Sequence, residues 1–116
     1  HELVAREGFE PAFRALAEKL AQDKSRAISE TDLNKLGYQL LARGHKPEAA
    51  LLFKRNMERF PDSPNVYDSY GESLIILDQR SQALAVMAKG LSIAIKQNNR
   101  RLIDSLNRLK LKATGL

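Results

Sequence analysis

Sliding the sequence against itself by 34 residues pairs Leu33 with Tyr67, Leu36 with Tyr70, Gly37 with Gly71, Leu40 with Leu74, Ala49 with Ala83 and Phe53 with Met87. In every pair small meets small, or bulky apolar meets bulky apolar. Agreement at one offset over so many positions means that one supersecondary unit is built twice. Such units cannot bury an apolar face alone, so they stack side by side and share a core.

Each unit reads as two helices. Leu33, Leu36, Leu40 and Leu41 recur at helical spacing. Ser29, three residues before Asp32, resembles a capping box and starts the first helix near position 30. Gly44 supplies the left-handed residue that ends it, and Pro47 suits the first turn of a second helix. That second helix gathers Ala49, Ala50, Phe53, Met57 and Phe60 on one side, and Pro61 stops it. Ser63 caps and Pro64 opens the next helix, which runs from about Val66 to Leu77. After a break at Asp78, Gln79 and Arg80, a fourth helix extends from Ser81 to about Lys96. Gly37 and Gly71 lie inside helices, where glycine costs about 1 kcal/mol against alanine, so they need a packing reason. A close crossing of antiparallel helices supplies it, with Phe53, Tyr70 or Met87 filling the space beside the small residue.

These residues resemble the tetratricopeptide repeat, a 34-residue helix–turn–helix unit. Leu33, Leu36-Gly37 and Leu40 answer the family's first-helix pattern, as do Tyr67, Tyr70-Gly71 and Leu74. Ala49, Phe53 and Pro61 answer the second-helix pattern, as do Ala83, Met87 and Gly90. The sequence departs from it at Asn56, where a small residue is usual, at Asp78 for Gly, and at Ile95 for Pro. The missing proline predicts that the last helix of the second unit runs on toward Gln97. The expected fold is therefore an all-α solenoid in a single domain, residues 1–116, with repeats at 31–64 and 65–98. Phe13, Leu16, Ala17 and Leu20 predict an N-terminal packing helix over 11–23, and Leu102, Ile103, Leu106 and Leu109 a capping helix over 99–112. Six helices and no strands follow. Arg101, Asp104, Ser105 and Arg108 stand where a third repeat, counted at the same offset, needs apolar or small residues.

Composition removes several function classes. The chain has no cysteine, which excludes disulfides, thiolate nucleophiles and cysteine-based metal centres. The cytoplasm and the periplasm both accept such a chain. No apolar run approaches the ~20 residues of a membrane span. The net charge of +5 is concentrated at the C-terminal end, where Lys96, Arg100, Arg101, Arg108, Lys110 and Lys112 face only Asp104. No aromatic lies among them, so a nucleic-acid partner is disfavoured, and cations there complement a helix dipole instead. Neither His1 nor His45 has another His or a Cys nearby, so a transition-metal site is not expected, and His45 reads as an exposed turn residue. Gly71-Glu72-Ser73 begins like a nucleophile elbow but lacks the second glycine and falls within a helix. Asp68 and Glu72 stand one helical turn apart as a solvated pair. No catalytic constellation and no cofactor motif emerge; the expectation is a non-enzyme.

The resemblance implies a protein-interaction module that holds a peptide or partner protein on the concave face of its first helices. Carried onto this sequence, the binding positions are Asn34, Tyr38 and Leu41 in the first unit, with Asn65, Asp68, Ser69, Glu72 and Ile75 in the second. Asn34, Tyr38 and Ser69 fall where chaperone-binding members carry a Lys/Asn clamp for a terminal carboxylate, so that ligand is disfavoured. The run from Asn34 to Gly44 and the run from Asn56 to Leu74 are also similar to repeats appended to bacterial serine hydrolases, esterase-like or β-lactamase-like. That similarity implies an alternative role as a C-terminal accessory domain packed on its own catalytic domain or mediating oligomerisation. A start without methionine fits an excised piece of such a parent. The expected assembly state is a monomer or a weak homodimer.

Overall fold

The computed structural model describes residues 29–115. Over them the chain forms five helices: α1 (Glu30–Ala42), α2 (Lys46–Arg59), α3 (Pro64–Ile76), α4 (Arg80–Lys96) and α5 (Arg100–Thr114). No strand occurs among these residues. The helix expected over 11–23 lies outside them.

Local chemistry sets the boundaries. The Ser29 hydroxyl accepts the Asp32 N–H at 3.1 Å, so the first helix starts where the sequence puts it. Three helices end by one device. Gly44, Asp78 and Asn98 all take positive φ, at 85°, 61° and 56°. Around each, the next residue's N–H reaches back to the carbonyl five residues earlier: His45 to Leu40, Gln79 to Leu74 and Asn99 to Ala94, at 2.8–2.9 Å. The residue with positive φ itself donates to Leu41, Ile75 or Ile95. This is the Schellman closure, which satisfies carbonyls that a helix end leaves open. Asp78, at the usual glycine position, keeps the left-handed turn because Asp and Asn tolerate that region better than other side chains do. Without a proline to stop it, α4 continues to Lys96 and is 17 residues long against 14 for α2.

The small residues lie at the helix crossings. A Cβ at Gly37 would fall on the buried Phe53 ring, 2.6 Å from Cζ and 2.8 Å from Cδ1. One at Gly71 would meet Met87 Cγ at 2.7 Å, and one at Gly90 would meet Tyr67 Cβ at 2.5 Å. Ala49 and Ala83 are fully buried. Around these contacts Leu33, Leu40, Phe53, Leu74, Met87 and Leu106 form one continuous core.

Two expectations are corrected. Ser63 occupies the N-cap of α3, but its hydroxyl makes no cap bond. It donates instead to Glu30 Oε2 at 2.7 Å, tying the start of α3 to the start of α1. His45 is buried, 8% exposed, not a solvent-facing turn residue. The Schellman closure turns it back against the end of α1, and it becomes the N-cap residue of α2.

α5 continues the first-helix lane beside α3. Its buried Leu102, Leu106 and Leu109 follow Tyr67, Gly71 and Leu74 by 35 residues, not 34. The longer α4 accounts for the altered step. Leu106 thus takes the register of the two glycines and fills the space beside Gly90.

Candidate functional site

A polar seam joins α1 to α3. Asn34 and Tyr38, one turn apart on α1, face Ser69 and Glu72 on α3. The Tyr38 hydroxyl donates to Glu72 Oε1 at 2.8 Å and lies 3.4 Å from Ser69 Oγ. Ser69 in turn donates to Asn34 Oδ1 at 2.6 Å. Tyr38 is 36% exposed, and its ring makes a T-shaped contact with Phe53, with centroids 5.0 Å apart and an interplanar angle of 62°. One side chain thereby ties the surface to the core. Burial pushes the Tyr38 phenol above its ordinary pKa; Ser69 opposes the rise, while Glu72 and Asp68 add to it. The hydroxyl stays protonated and serves as a donor at neutral pH.

The next link runs from α3 to α5. Ser105 Oγ donates to Asp68 Oδ2. Desolvation raises the Asp68 pKa, and Glu72 adds to it; the Ser105 hydrogen bond and the charges of Arg101 and Arg108 pull the other way. Asp68 and Glu72 are therefore not a bare solvated pair. One accepts from α5, the other from α1.

The remaining assigned residues divide by burial. Leu41 and Ile75 are half-buried and pack against the core. Ser69 is 2% exposed and lies between the helices, beneath the face it was assigned to. Asn65 is half-buried at the start of α3. The sequence reading missed the contribution of Arg101, Ser105 and Arg108, because the fixed 34-residue offset misregisters α5. Matching the apolar triplet Leu102, Leu106, Leu109 to Tyr67, Gly71, Leu74 recovers it.

No alternative chemistry gathers elsewhere among the described residues. Ser73 is fully buried and donates to the Tyr70 carbonyl at 2.7 Å, which removes it as a nucleophile. No group of three or more His, Asp or Glu side chains could hold a metal ion among the described residues, and no helix there is long and apolar enough to cross a membrane.

The arrangement matches solved structures. The chain is similar to the solution NMR structure of a tetratricopeptide repeat domain protein from Salinibacter ruber. The TM-score is 0.70 at 26% identity, over 76% of this chain and 89% of that one. A crystal structure of the same Salinibacter ruber domain gives 0.68 at 25% identity, over 75% and 98%. The described residues have the fold of a tetratricopeptide repeat domain. No family model matches the chain, and no curated protein does. The serine hydrolase context has no counterpart in these matches.

Proposed function

We propose that this chain is a protein-interaction module, and that an extended peptide or partner segment lies across the aligned first helices α1 and α3. The observation that carries this reading is the hydrogen-bonded seam Asn34–Ser69–Tyr38–Glu72. It holds an exposed aromatic in one orientation before any partner arrives, which lowers the ordering cost of binding. Tyrosine offers a flat apolar face with a polar tip, the side-chain type that anchors interfaces. Asn65, half-buried at the start of α3, can hydrogen-bond the backbone of an extended chain. Asp68 and Glu72 favour a segment that is neutral or basic where it crosses α3, and an acidic tail is rejected there. So short a face supports micromolar affinity, about 8 kcal/mol or less.

A peptide-array screen of the wild type against Tyr38→Ala and against Asp68→Lys/Glu72→Lys tests this. Tyr38→Ala is expected to weaken all bound peptides, and the double charge reversal to shift selection toward acidic ones. Peptides bound equally by all three proteins would refute the assignment of this face.

A further inference from the structure

A second surface lies on the opposite side of α5. Ala88, Leu91 and Ile95 follow one another along α4 at i, i+3 and i+7, and with Ser92 and Lys96 of the same helix and Lys110 of α5 they line an open groove of about 390 Å³. Ile95 is 57% exposed. Repeat packing accounts for Leu91, whose counterpart 34 residues earlier is the half-buried Met57, but not for the exposed Ala88 and Ile95. Thirty-four residues earlier, the positions of Ala88 and Ile95 are held by Lys54 and Pro61. Ile95 is also carried outward on the extra turn by which α4 outlasts α2. The chain thus spends an added helical turn and the exchange of a lysine position for Ala88 on a surface that its own described helices leave open.

Charge indicates what fits there. The groove's charged lining is Lys96 and Lys110, and no carboxylate lines it. Both lysines belong to the C-terminal segment that supplies the excess positive charge. The apolar residues span two helical turns, about 11 Å of axis, and their spacing presents a ridge that another helix's side chains can straddle. We infer that the α4–α5 groove docks an amphipathic helix of a partner protein, its apolar stripe on Leu91 and Ile95 and its flanking Asp or Glu side chains against Lys96 and Lys110. This is helix-in-groove recognition, distinct from the extended segment proposed for the α1–α3 face.

The test uses the whole chain and two fluorescein-labelled synthetic helices of about 18 residues, a length that supports measurable helicity. They share one leucine stripe; the other positions are mainly Glu in one and Lys in the other. Fluorescence anisotropy is expected to show the Glu helix binding with micromolar Kd and the Lys helix at least about tenfold weaker, a difference that shrinks as salt rises. Ile95→Asp, at an exposed position and checked for an unchanged melting curve, should weaken the Glu helix by about tenfold or more. Lys96→Glu/Lys110→Glu should reverse the preference, and Tyr38→Ala should leave it intact. Equal binding of the two helices, indifference to Ile95→Asp, or loss with Tyr38→Ala overturns the inference; the last result would place the peptide on the α1–α3 face. Sedimentation showing a dimer that Ile95→Asp dissociates would also overturn it, by giving the groove to a second copy. Failure here leaves the peptide-array result on the other face untouched.

Discussion

Gly37→Ala and Gly71→Ala are the same chemical change at equivalent crossings, yet the structure gives them different costs. Both remove a helix-interior glycine, so both gain about 1 kcal/mol of helix propensity. That gain cancels in the difference between them. At Gly37 the new methyl would meet three atoms of the Phe53 ring, two of them at 2.6 and 2.8 Å. Phe53 is 1% exposed and its rigid ring also packs against Tyr38 in a T-shaped contact, so it has little room to swing aside. Overpacking of this kind costs about 1–3 kcal/mol, and a rigid aromatic puts Gly37→Ala near the upper end. At Gly71 the methyl would meet Met87 Cγ at 2.7 Å and Sδ at 3.3 Å. Methionine has three rotatable bonds and yields, so the cost falls near about 1 kcal/mol and offsets the propensity gain. Gly37→Ala should therefore be less stable than wild type by about 2 kcal/mol, and Gly71→Ala nearly neutral. Urea unfolding followed by circular dichroism reads both values, with the m-value confirming two-state behaviour. In a double-mutant cycle Phe53→Leu should relieve part of the Gly37→Ala penalty, because the clash and the cavity occupy one space. Equal stabilities for the two alanine variants, or strict additivity in the cycle, would refute this account of the crossings.

Asp78→Gly should stabilise the protein by about 0.5–1 kcal/mol, since glycine takes the left-handed turn without Cβ strain and the exposed Arg80 contact it forfeits is worth little; thermal melts check this. Ser69→Ala should cost about 1–2 kcal/mol by breaking a buried hydroxyl link, and Asn34→Ala on top of it should add less than it does alone, as a denaturation cycle would show. The Asp68 pKa is raised on folding, so the native state binds a proton more readily than the unfolded chain. The contribution of this carboxyl to stability is therefore fully present below its unfolded value, about 3.9, and is lost as pH rises through the higher native value. Wild type should gain on Asp68→Asn as pH falls through that window, and parallel pH profiles for the two proteins would contradict the shift.

Over the described residues, the sequence by itself determined the five helices and their crossings. Ser29, Gly44, Pro47 and Pro64 act through bonds and torsions within a few residues, so their effects are legible without a fold. Gly37 and Gly71 are legible because they recur, and only a close approach justifies a repeated glycine inside a helix. Asp78 keeps its turn without glycine for an equally local reason. The tertiary structure decided what the polar side chains do. Ser63 reads as a cap from its position, but Glu30 is brought within reach only when α3 packs beside α1, and the hydroxyl goes there. His45 reads as exposed until the closure of α1 folds it inward. Asp68 and Glu72 read as solvated because helical spacing reports neighbours on one helix only. Their partners, Ser105 and Tyr38, arrive from other helices. Repeats copy apolar positions faithfully because a shared core demands them at each step. Hydrogen bonds between helices depend on register to within a fraction of a turn, and the one-residue shift at α5 is enough to set a serine and two arginines beside Asp68.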